Sequence, residues 1–115
     1  MTPASCHCGA VRFTVDSPPA QVNDCTCSIC RRYGALWAYY PVAEVTFAPD
    51  SGPTDTYVWK DRILAFHRCR ACGVLTHWSP TDPDWPRMGV NARLMEPKVV
   101  AAAERLRDGQ PAAAA

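Results

Sequence analysis

Charge of either sign is scarce as a surplus in this chain. Twelve Lys and Arg against eleven Asp and Glu leave a formal +1. That balance excludes bulk electrostatic attraction to nucleic acid or an anionic membrane as a basis for binding. Long apolar runs are also missing: no stretch of about 18 such residues occurs, so nothing reads as a membrane-spanning helix. The start, "MTPASCHCG", has neither a basic n-region nor an apolar h-region, so no signal peptide is read there and a cytoplasmic location is expected. No internal repeat longer than the cysteine motifs is present. The seven cysteines are an odd number, which excludes a complete disulfide set. Their short, clustered spacings in a reducing cytosol read as metal ligands instead. Seven thiolates around two divalent ions would turn the net charge mildly negative.

At 115 residues, with ordinary hydrophobic and charged fractions of 48% and 20%, the chain suits one globular domain. "GAVRFTV" alternates, with Val11, Phe13 and Val15 on one side and Arg12 and Thr14 on the other, as in a half-buried strand. "SPP" ends it. "ALWAYYPVAEVTF" predicts two short strands parted at Pro41. "TYVW", "LAFHRC" and "VLTHWS" predict three more, and "MGVNA" a last core strand. One short helix is expected from about Ser28 to Tyr33, with Ser28 a candidate N-cap. "EPKVVAAAERLRDG" reads both ways: its alanines favour helix, whereas "ERLRDG" suits an edge strand. "QPAAAA", residues 110–115, reads as a frayed low-complexity tail. The expectation is a single all-β domain over residues 1–109, built of short strands around a small core.

The chemistry lies in the cysteines. Cys6 and Cys8 form C-x-C, and on an extended chain such positions share a face. Cys69 and Cys72 form C-x-x-C, followed by Gly73 at a tight turn. Two pairs make four thiolates, which suit a tetrahedral structural zinc. The ion would clip the first strand to a hairpin in the second half and close a long loop. A disulfide, buried free thiols, or a redox pair at Cys69 and Cys72 are the weaker readings.

Cys25, Cys27 and Cys30 form a separate C-x-C-x-x-C run. Three protein ligands with an open fourth position characterise catalytic zinc, which lowers the pKa of a bound water or thiol. His7, His67 and His77 are candidates for the fourth ligand. A purely bracing zinc and an iron–sulfur cluster with an outside ligand are further alternatives. Arg31 and Arg32 could bind carboxylates, and an anionic thiol such as glutathione would suit them. Trp37, Tyr39 and Tyr40 could line a pocket, although such aromatics more often form core. Asn91 and Arg93, in "GVNARL", are read at alternate strand positions, as substrate contacts or as a structural network.

"SCHCGAVRF", "CTCSICRRYGALWAYY", "FHRCRACGVLTHW" and "MGVNARL" together resemble the glutathione-dependent formaldehyde-activating enzyme family, which includes centromere protein V. All seven cysteines fall in order at matching spacings. The resemblance implies a β-tent: two antiparallel sheets of short strands braced by a structural zinc, with at most one or two short helices. It implies two zinc ions, the structural one on Cys6, Cys8, Cys69 and Cys72. The second, on Cys25, Cys27 and Cys30 and in places only partly occupied, would be catalytic. The implied activity is that of a carbon–sulfur lyase joining glutathione and formaldehyde as S-hydroxymethylglutathione. Arg31, Trp37, Tyr39, Asn91 and Arg93 are the candidate substrate contacts. The partner expected is a small-molecule thiol, with neither nucleic acid nor membrane. The rival readings are a zinc-braced binding module and a thiol redox or zinc sensor.

Overall fold

Phe13 and Val15 are buried and Arg12 and Thr14 half-buried, as alternation demands of a strand with one face on a core. This is the centre of a small sheet in a computed structural model that describes residues 1–59 and 61–108. Strand β1 (Thr2–Ser5), β2 (Arg12–Val15) and β5 (Val45–Phe47) pair antiparallel in the order β1-β2-β5. The large sheet holds β3 (Gln21–Cys25), β4 (Trp37–Pro41), β6 (Thr54–Trp59), β7 (Leu64–Cys69), β8 (Leu75–Pro80), β9 (Arg87–Asn91) and β10 (Glu104–Asp108). Their order is β10-β3-β4-β9-β8-β7-β6. The fold is mostly β, in two sheets and with two short helices among the described residues, as expected.

Four details depart from the sequence reading. The sheets are not wholly antiparallel, because β10 runs parallel to β3. Helix α2 (Pro97–Ala102) provides the crossover that a parallel return requires. The doubtful segment is thus both things in turn, helix then strand. Helix α1 is shorter than expected, Cys30–Tyr33, and Ser28 does not cap it. Ile29 occupies the N-cap position without a side-chain bond, and the Ser28 carbonyl accepts from Arg32 Nη1 at 2.6 Å. Strands β1 and β3 have little alternation of their own and exist through pairing with β2, β4 and β10. The tail read at 110–115 lies outside the described residues.

The pleat sorts the large sheet into two faces. The inner face sets Val22, Ala38, Tyr40, Met88 and Val90 against Phe13 and Val15 of the small sheet. Each such fully buried side chain contributes about 1.5–3 kcal/mol. The outer face packs Trp37, Phe66 and Trp78 around Cys27 and Cys30. Gly89 sits between Tyr39 and Trp78 in register. A Cβ there would meet the Trp78 ring at 2.1 Å. Its absence lets the Tyr39 and Trp78 rings approach to 6.2 Å across the strand between them.

Candidate metal centres

Cys6 and Cys8 do not share a strand face. The chain leaves β1 at Ser5 and turns, with Cys6 N donating to the Val11 carbonyl at 3.0 Å and Gly9 N to the Cys6 carbonyl at 3.2 Å. The turn, rather than the pleat, aims both sulfurs the same way. Cys69 closes β7, and a tight turn follows in which Gly73 takes φ +80° and donates to the Cys69 carbonyl at 2.8 Å. The two turns meet. Cys6 Sγ lies 3.7 Å from Cys8 Sγ, and Cys8 Sγ 3.7 Å from Cys69 Sγ. With Cys72, all four sulfurs lie within 4.8 Å of one another. Bonds of about 2.3 Å to a tetrahedral zinc place sulfurs about 3.8 Å apart, so this donor set fits that ion. All four cysteines are free, which removes the disulfide reading.

Backbone donors favour thiolate here. Val11 N lies 3.3 Å from Cys6 Sγ, and Cys72 N 3.5 Å from Cys69 Sγ. Burial raises the Cys6 thiol, but the Val11 N–H and the sulfurs of Cys8 and Cys69 bring it below its ordinary value. The N–H groups of Cys8 and Val74 pull Cys72 down to about 6. Cys8 is pulled down by the Ala10 N–H yet ends at about 11, because desolvation and three sulfur neighbours push it up.

The second centre is built at the edge between β3 and α1. Cys25 ends β3, Cys27 lies in the following bend, and Cys30 opens α1. Arg31 N donates to the Cys27 carbonyl at 3.1 Å and Cys30 N to the Cys27 sulfur at 3.3 Å, folding the run onto itself. The three sulfurs lie within 4.8 Å of one another, and among the described residues no histidine or carboxylate joins them. Burial raises Cys27, but N–H and sulfur neighbours take it below the ordinary thiol value. Burial leaves Cys25 and Cys30 above it.

The histidines are placed elsewhere. His7 lies exposed in the Cys6–Cys8 turn. His67 and His77 stack at 4.1 Å. His67 Nδ1 meets Thr54 Oγ1 at 2.8 Å, its Nε2 meets Ser79 Oγ at 2.7 Å, and His77 Nδ1 meets Thr76 Oγ1 at 2.8 Å. Burial lowers both pKa values, that of His77 to about 3 with help from His67, so the pair is neutral.

A cleft of about 840 Å³ is lined by Trp37, Tyr39, Asn23 and Arg87 among others, and by none of the three cysteines. Trp37 joins cleft and centre, since it also packs against Cys27 and Cys30. Asn23 Nδ2 donates to Tyr39 Oη at 3.0 Å, and the Arg87 guanidinium lies 4.7 Å over the Tyr39 ring. Of the candidate contacts, Trp37 and Tyr39 are therefore brought to the cleft. Arg31 is exposed on α1 and does not line it. Asn91 closes β9, donates to the Leu75 carbonyl at 2.9 Å and accepts from Arg93 N at 3.2 Å. Arg93 lies in the following 3-10 turn, not on the strand, and its Nε donates to the Gly34 carbonyl at 2.8 Å, bracing the end of α1. Asn23 and Arg87 were missed. Asn23 was within reach of the sequence, two positions before Cys25 on one strand face; for Arg87 no signal existed, because only the β4–β9 pairing brings it beside Tyr39.

Residues 1–106 match the family described as "Glutathione-dependent formaldehyde-activating enzyme". The chain belongs to this family. A Halomonas elongata protein named "Putative glutathione-dependent formaldehyde-activating enzyme" is 36% identical over 93 residues. That match covers 73% of this chain but only 58% of the relative, so the chain spans little more than half of that protein's length. A crystal structure of a Rhodobacter sphaeroides protein shares the fold with a TM-score of 0.72 at 28% identity, covering 90% of this chain and 98% of that one. Both cysteine groups of this formaldehyde-activating-enzyme family member lie inside the matched residues. No helix among the described residues is long and apolar enough to cross a membrane.

Proposed function

We propose that this chain is a zinc-dependent carbon–sulfur lyase that makes and breaks thiol–aldehyde adducts, with glutathione and formaldehyde as the substrate pair. The observation that carries this reading is the three-sulfur centre, Cys25, Cys27 and Cys30, joined through Trp37 to an open cleft. A four-sulfur centre elsewhere would brace the fold. Zinc on the trio would supply a low thiol pKa and a fixed position for the substrate sulfur.

The chain's own residues do the rest. The thiol loses its proton to solvent on binding. Its sulfur electron pair forms the C–S bond, the carbonyl π pair moves to oxygen, and that oxygen takes a proton. Two tyrosines, Tyr39 and Tyr40, line the cleft. Tyr40 spends its proton on the Ser17 carbonyl at 2.9 Å. Tyr39 accepts from Asn23, which leaves its own O–H free to donate. Burial raises its pKa, so the proton stays on at neutral pH. Tyr39 is thus the hydroxyl suited to stabilise the developing alkoxide and protonate it. Arg87, on the cleft wall, suits a carboxylate of the thiol's peptide portion.

The test is exchange spectroscopy with ¹³C-formaldehyde and glutathione, which reads adduct turnover against the spontaneous background. The zinc-loaded protein should accelerate exchange. Cys27→Ser should return it to background, and Tyr39→Phe should slow it by about 10²-fold or more. Full acceleration by Cys27→Ser would end the proposal.

A further inference from the structure

One buried side-chain polar atom among the described residues has no hydrogen-bond partner: Nε1 of Trp37. The residue is 1% exposed. Leaving such a donor unsatisfied costs about 1–3 kcal/mol. Trp37 is held firmly on β4, opposite Asn23 on one side and Asn91 on the other. Its ring packs against Phe66 at 6.0 Å between centroids and lies in the cluster that contains Cys27, Cys30 and Ala35.

The acceptor chemistry in that cluster is sulfur. Cys27 Sγ already accepts from Cys30 N. The remaining buried sulfur of the cluster is that of Cys30. A neutral thiol is a weak acceptor. A thiolate is a strong one, because charge shortens and strengthens the contact.

We propose that the Trp37 indole N–H is the hydrogen-bond donor to the Cys30 sulfur when Cys30 serves as a metal-bound thiolate. Trp37 is then a positioning residue. It holds the Cys30 sulfur toward the centre, and by drawing charge from it leaves the metal a stronger acid toward an incoming thiol. The inference rests on metal binding by the trio, and it does not need the lyase reaction to be correct.

The test is a metal titration of ¹⁵N-labelled protein. The chain has four tryptophans, hence four indole N–H signals, and Trp37→Phe identifies one while retaining a ring. Filling the second centre with Zn²⁺ should move the Trp37 signal downfield. Chelator competition should show Trp37→Phe binding the second Zn²⁺ about 10–100-fold more weakly, with the four-sulfur centre unchanged. A packing role alone could also weaken the variant, through the cavity that phenylalanine leaves, but it would not move the wild-type indole signal downfield on Zn²⁺ binding. The proposal is overturned if the wild-type Trp37 signal is indifferent to the second ion, if it responds only to added thiol, or if wild type takes up no second ion. It is equally overturned if folded Trp37→Phe retains wild-type affinity. Should that variant not fold, the wild-type titration decides alone. Loss of adduct turnover with the indole shift intact would strike at the lyase reading and spare this one.

Discussion

Cys8 Sγ lies 3.7 Å from Cys69 Sγ although 61 positions separate them in the chain. This contact joins the turn after β1 to the turn between β7 and β8, and so fastens the small sheet to the large one. Structural zinc in small peptides contributes about 10–16 kcal/mol of apparent binding free energy at neutral pH. A domain of this size has only about 5–15 kcal/mol of net stability. Cys69→Ser should therefore lose the cooperative thermal transition. Cys27→Ser should keep that transition within a few degrees and lose one metal ion per chain. Circular dichroism melts with metal analysis on the same samples check both. Equal damage from the two substitutions would contradict the division into a bracing and an open centre.

His77 is stacked on His67 and flanked by Phe13 and Phe47, with ring centroids at 6.4 and 4.8 Å. Its folded pKa is about 3 against an ordinary 6.5. Below pH 6.5 the unfolded chain takes up a proton that the folded one refuses. Stability from the neutral ring is thus complete above about 6.5 and falls as pH drops toward 3. Replacing the ring by a group that does not titrate should flatten this fall by up to about 1.4 kcal/mol per pH unit. Urea denaturation of wild type and His77→Gln between pH 6.5 and 5 measures the difference in slope. Parallel curves would show that His77 carries none of the acid sensitivity.

Arg31 and Arg87 make opposite predictions. Arg31 follows the cysteine run in sequence but lies exposed on α1, away from the cleft. Arg87 lines the cleft over Tyr39. Arg87→Ala should raise KM for glutathione about fivefold, as expected of a solvent-accessible ion pair worth about 1 kcal/mol. The kcat should stay the same, and thiols without carboxylates should be unaffected. Arg31→Ala should leave both constants unchanged. Steady-state kinetics with glutathione and cysteamine would expose the reverse pattern.

Local pattern made much of the fold legible. Period-two alternation marks β2, and aromatic and β-branched residues mark β4, β5 and β6 to β8, because such side chains suit a half-buried pleat whatever their neighbours. "TPAS" and "QVNDC" carry no such pattern, so nothing local marks β1 or β3: β1 is a strand through its pairing with β2, and β3 lies between β4 and the distant β10, where Glu104 pairs with Gln21. The helix start was misread at Ser28 because a cap is a matter of local angles, and at Ile29 these were already helical.

By itself the sequence determined the sorting of seven sulfurs into two pairs and a trio, because short spacings limit which neighbours one ion can reach. Cysteine chemistry is consistent with a thiophilic ion such as zinc. Tertiary structure alone decided that two distant turns converge, that His67 and His77 stack on one another, and that Arg87 rather than Arg31 walls the cleft. The reason is that these are relations between strands. Strand pairing brings together residues whose separation along the chain carries no information about their distance in space.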